Sequence, residues 1–145
     1  MMRNMMRRSE RAQTLVEFAL ILPIFLLLML GLFDMGRAVF YYTTISNASR
    51  EAVRLAIVDQ NTADVRQEAV DHASGVMPIT LADVTVQYLG PDLSTGGPCS
   101  TAPHQIGCVV RVGIVHAFRP ATPFVGALNF SAETHQPIER RYVSP

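Results

Sequence analysis

Glu17 is the residue whose type and position could do the most unusual chemistry. It is an ionisable group inside a stretch, positions 15–33, that is otherwise apolar throughout. A carboxylate there costs several kcal/mol unless it finds a partner or a polar interface. Two readings are open: Glu17 sits at headgroup depth and reaches water, or it finds a partner. Cys99 and Cys108 are the only cysteines and flank a turn-rich loop. A disulfide between them is the expectation in an oxidising compartment, and two free buried thiols are the alternative. The pair has no second pair beside it, and His72, His104, His116 and His135 follow no ligand spacing, so neither a metal site nor a cofactor is expected. No phosphate-cradling glycine loop, nucleophile motif or paired carboxylates in a catalytic frame is present, which argues against an enzyme.

The elements that carry these residues follow from periodicity. Positions 15–33 show no polar face, and nineteen helical residues at about 1.5 Å each approach the thickness of a bilayer core, so a membrane-spanning helix is predicted. The first twelve positions hold Arg3, Arg7, Arg8 and Arg11 against Glu10 alone, while Asp34 and Arg37 follow the apolar run. This asymmetry predicts a cytoplasmic N-terminus and an exported C-terminal part. Pro23 removes one backbone hydrogen bond within the span. Lysine is absent and arginine is sparse after position 12, so no basic stripe exists for nucleic acid.

Beyond the apolar run, Met35, Val39, Tyr42, Ile45, Ser49, Ala52 and Ala56 recur at helical spacing. One helix is therefore expected over 13–58, about 65 Å long, with 13–34 in the membrane and 35–58 continuing outside it. Val39, Tyr42 and Ile45 form an apolar stripe, and beyond about Tyr42 it is expected to pack on the chain's own sheet. Thr62 can cap a second, shorter helix bearing Val65, Ala69, Ala73 and Val76, stopped by Gly75 and Pro78. Val84, Val86 and Tyr88 alternate with polar residues, as do Val110, Val112, Ile114, His116 and Phe118, and both stretches read as strands. A third strand carries Leu128, Phe130, Ala132 and Thr134 on one face. Positions 90–107, rich in Gly, Pro, Ser and Thr, read as a surface loop. The expected fold class is α+β: a long N-terminal helix, then a shorter helix packed on a small antiparallel sheet of about three strands within an exported head over 59–145.

The stretch from Arg11 through Ala12, Gln13, Thr14, Leu15, Val16 and Glu17 to Pro23, followed by Gly31-Leu32-Phe33-Asp34-Met35-Gly36-Arg37, closely resembles the start of TadE-like proteins of the Tad (tight adherence) pilus system. Asn47-Ala48-Ser49-Arg50-Glu51-Ala52-Val53-Arg54 is similar to the family's segment just beyond the membrane. The resemblance implies a pilin-like fold and a structural role as a minor pilin or pseudopilin in Tad pilus assembly. It also implies that positions 1–12 are a basic leader removed by a prepilin peptidase between Ala12 and Gln13. Ala12 stands where the family's pattern usually has glycine, and Glu17 falls on its glutamate, the fifth residue after the cut. The implied partners are the membrane, the prepilin peptidase, other pilin-like subunits and Tad inner-membrane assembly proteins, with no nucleic acid and no small-molecule substrate. A competing expectation is a membrane-tethered binding protein whose 90–107 loop meets a ligand. A third is a secreted protein cut near Ala38.

Overall fold

The computed structural model describes residues 2–95, 99, 104 and 106–139, with side chains from position 12 onward. Helix α1 covers Met2–Val58 and α2 covers Thr62–Ser74; a short 3-10 turn at Leu81–Asp83 leads into strands β1, Val84–Leu89, β2, Val109–Phe118, and β3, Leu128–Pro137. The chain divides into two compact units, Met1–Arg37 with Pro120–Gly126 and Ala38–Arg119 with Ala127–Pro145.

In the first unit α1 displays its apolar residues outward. Leu15, Phe18, Leu28 and Leu32 are all exposed. None of the described residues covers them, and the apolar window of this helix is not buried in the way a core helix of a water-soluble domain is. It is long and apolar enough to cross a membrane. Pro23 lies within it, and the helix continues through the proline.

The second unit is built around an antiparallel sheet in the order β1-β2-β3. Register pairs Val84 with Ile114 and Leu89 with Val109, then Val109 with Pro137 and Phe118 with Leu128. Because strand side chains alternate between faces, this register gathers Val84, Val86, Tyr88, Val110, Val112, Ile114 and Ala132 on one buried face. The opposite face carries a polar cross-strand row in which Arg111 donates to Gln87 and pairs with Glu133 at 3.3 Å. The buried face meets Ile45, Ala48, Ala52, Val53 and Ala56 of α1 and Val65, Ala69 and Ala73 of α2 in one hydrophobic core. Small residues dominate the helical side of this contact, which lets the helices approach the bulkier strand side chains and fill the space between layers. Burial of a strand residue such as Ile114 stabilises by about 1.5–3 kcal/mol.

Two details depart from the expected pattern. The buried stripe of α1 begins at Tyr41, whose ring meets Phe118 edge-on at 5.5 Å, while Tyr42 is half exposed. From Ile45 onward the stripe follows the expected positions, and Ser49 reaches the Thr134 hydroxyl at 2.8 Å. The cap of α2 is Asn61 rather than Thr62: the Asn61 side chain accepts from the Ala63 amide at 3.1 Å, because the cap must lie outside the first helical residue. Gly75 and the turn after it end α2 as its sequence predicts.

Candidate functional site

The residues singled out at the start of α1 lie on exposed helix. Ala12, Gln13 and Glu17 are all open to the surroundings. Helical side chains four apart are neighbours, and the Gln13 side-chain amide donates to a Glu17 carboxylate oxygen at 3.2 Å. Long helical side chains lean toward the N-terminus, so this carboxylate is directed back toward Gln13. The apolar run begins immediately around it, with Leu15, Val16 and Phe18 exposed.

A second polar feature closes the far end of the run. Asp34 is almost fully buried although its neighbours Phe33 and Met35 are exposed. Its carboxylate accepts from the backbone amide of Ala121 at 2.9 Å, from that of Thr122 at 2.7 Å, and from the Thr122 hydroxyl at 2.5 Å. Arg37 lies 3.5 Å from it, one helical turn on. A carboxylate leaving an apolar stretch would otherwise be poorly solvated; here donors and a cation surround it. The Pro120–Gly126 segment between β2 and β3 is thereby fastened to α1 within the first unit.

The second unit holds the cysteines. Cys99 and Cys108 form a disulfide with Cα atoms 5.7 Å apart, and both are buried. Positions 96–98, 100–103 and 105 of the loop predicted over 90–107 lie outside the described residues. The described part is not all surface, because His104 is buried between them. Its ring stacks on Tyr88 with centroids 3.6 Å apart. Its backbone amide donates to Gln60 at 2.7 Å, and the Gln60 amide returns a hydrogen bond to the His104 carbonyl at 3.2 Å. Burial, together with the charge of Asp59, pushes the Tyr88 hydroxyl up to about 12. Burial also holds the His104 ring below its ordinary 6.5, and a hydrogen bond with the Cys99 backbone acts weakly the other way.

The pH consequence for His104 has a definite sign. The unfolded chain takes up a proton near the ordinary value of 6.5 and the folded chain resists it. Stability is therefore full above that pH and falls as pH drops through and below it. Thermal melts of the purified chain are expected to shift down between about pH 7.5 and about pH 5.5, and His104→Gln to flatten that shift. An identical pH dependence in the two proteins would contradict the assignment. His116 is half-buried with Tyr41 edge-on at 6.5 Å, a packing arrangement. His72 pairs with Glu68 on the surface of α2 at 3.0 Å.

The sites foreseen from sequence thus fall into two sets. Ala12, Gln13 and Glu17 share neighbouring turns of one exposed helix, and Cys99 and Cys108 belong to the other unit. Asp34 and its partners were not foreseen. Asp34 reads as the charge that ends the apolar run, and the Pro-Ala-Thr-Pro turn reads only as a turn. The available signal was an acidic residue at the last position of the expected membrane span, where a carboxylate requires a partner.

An exposed apolar N-terminal helix, followed by a second helix and a three-stranded antiparallel sheet packed in one core, defines the pilin-like α+β class. Residues 12–54 match the family model of TadE-like proteins. That match implies a component of Tad pilus assembly, in a family whose members are generally structural rather than catalytic. No curated protein and no solved structure matches the chain.

Proposed function

We propose that the chain is a minor pilin or pseudopilin of the Tad pilus assembly and secretion system, cut by a prepilin peptidase between Ala12 and Gln13. In this reading its N-terminus faces the cytoplasm, residues 13–34 span the inner membrane, and the head is exported. The observation that carries the reading is the bare apolar face of α1 with Glu17 at its start. A helix whose apolar face no described residue covers, bearing one carboxylate among lipid-facing residues, is built for packing with other helices rather than for passive tethering. Val39 and Tyr42 extend exposed apolar surface past the span, in keeping with contact with other pilin-like subunits and with Tad inner-membrane assembly proteins.

Cleavage after Ala12 would place a new ammonium on Gln13, and Glu17 already leans toward that residue. An ammonium and a carboxylate one turn apart can pair within one subunit or across two. In a low-dielectric helix bundle an unpaired charge is costly, so subunits would be selected for the axial register that pairs both. The family match begins at Ala12 and leaves out the arginine-rich residues before it, as expected if those residues are a leader.

The test is the N-terminus of the mature chain recovered from membranes. A start at Gln13 is expected. A start at Met1 would instead support a membrane-tethered binding protein, and a start near Val39 a secreted one.

A further inference from the structure

The segment Pro120–Gly126 contains no charged residue, yet it presents Phe124 with 97% of its surface exposed and Val125 with 49%. Phe124 also adopts a φ of 83°, in the left-handed region that side chains other than glycine rarely occupy. Water gives no reason to hold a phenylalanine ring fully exposed on a strained backbone. The same segment is fastened through Ala121 and Thr122 to Asp34, which directly follows the apolar run. Nineteen helical residues at about 1.5 Å rise place Asp34 at the boundary between hydrocarbon and headgroups if positions 15–33 cross the bilayer. Phe124 lies two residues from Thr122, so its depth is tied to that boundary.

We infer that the turn between β2 and β3 is a second membrane contact, in which Phe124 and Val125 enter the interfacial layer of the leaflet where α1 emerges. The inference rests on the membrane-spanning reading of α1. The occupant it assigns to the exposed ring is lipid, because the ring is continuous in depth with a lipid-facing helix and no charge in the segment opposes insertion. Aromatic side chains at interface level and apolar residues inserted from a turn both favour this layer. Asp34 is the positioning residue, since its carboxylate fixes the turn against the helix. The contact would hold the turn at the bilayer surface instead of leaving α1 as the single attachment.

The chain contains no tryptophan, so Phe124→Trp supplies a single emitter in the full-length protein. The measurement is its fluorescence in lipid nanodiscs of phosphatidylcholine and phosphatidylglycerol, with or without lipids brominated near the headgroup end of the acyl chains for this variant and near the methyl end for a mid-span control. Leu26→Trp, in the middle of the span, reports separately on the membrane reading. Brominated lipid is expected to quench the Phe124→Trp protein roughly two-fold, as for a ring at interface level, and adding Asp34→Ala should relieve that quenching. Quenching of Leu26→Trp alone, with Phe124→Trp open to aqueous iodide, would overturn the inference and leave the span intact. Phe124→Trp shielded from both quenchers would also overturn it, by showing that protein covers the ring. No quenching of Leu26→Trp would remove the membrane reading and the inference with it. Quenching of Phe124→Trp unchanged by Asp34→Ala would overturn the positioning role of Asp34.

Discussion

Glu17→Ala is expected to leave the chain in the membrane and to exclude it from the assembled pilus complex. Insertion depends on the apolar run at 15–33, which the substitution makes more apolar. Assembly, in the proposed reading, depends on pairing the Gln13 ammonium, and removing one partner of a buried ion pair costs about 3–5 kcal/mol because the other charge stays uncompensated. Incorporation should therefore fall on the order of a hundredfold or more. The Gln13 side chain, which donates to Glu17 at 3.2 Å, cannot replace the carboxylate. Immunoblots of sheared pili and washed membranes from the same cells read both quantities. Normal incorporation of the variant would contradict a register role for Glu17.

The second large effect is expected from removing the cross-link. Replacing Cys99 and Cys108 together by serine frees a loop with a sequence separation of 9. In the chain-entropy description the disulfide contributes about 2–3 kcal/mol for a loop of this size. For a domain near the size of the head, that corresponds to a fall in Tm on the order of 10 °C. The cross-link also ties down the segment carrying His104, whose ring covers Tyr88 and whose backbone is paired with Gln60. Loss of that packing adds to the entropic effect. Thermal unfolding of the full chain in detergent, with and without reductant, measures it. Equal Tm values for the oxidised wild type and the doubly substituted protein would contradict a stabilising bridge.

Much of the fold was legible because its signals are local. The apolar run of α1, the three-and-four spacing from Ile45 to Ala56, and the alternation in β1 and β2 each reflect one element's period against one buried face. The departures arise where that period meets its surroundings. At the start of the packed stripe, Tyr41 and not Tyr42 turns inward: at 3.6 residues per turn the two tyrosines, four and three positions before Ile45, flank the stripe on opposite sides, and a partner, Phe118, selects one. The 90–107 segment has the composition of a surface loop, yet His104 and Cys99 are buried, since a cross-link and a stacked aromatic can hold a polar segment inward. Asp34 was the least legible of all. Its partners are 87 and 88 positions away and are mostly backbone amides, which carry no residue-type signature. The family match covers 12–54, so the head is understood from its own packing alone.

Glu17 and Asp34 give the two ends of the apolar run different tasks. At its start a carboxylate is exposed and leans toward the residue that cleavage would free. At its end a carboxylate is enclosed by donors from the chain's own turn. One is available to another subunit and the other is already satisfied. That contrast is what the proposed role requires, because an assembly signal must be open whereas a structural anchor must be closed.

The most direct measurement is the N-terminal sequence and intact mass of the chain from membranes of cells with and without their prepilin peptidase. The proposed reading predicts a chain beginning at Gln13 in the first and at Met1 in the second. A chain beginning at Met1 in both would contradict it.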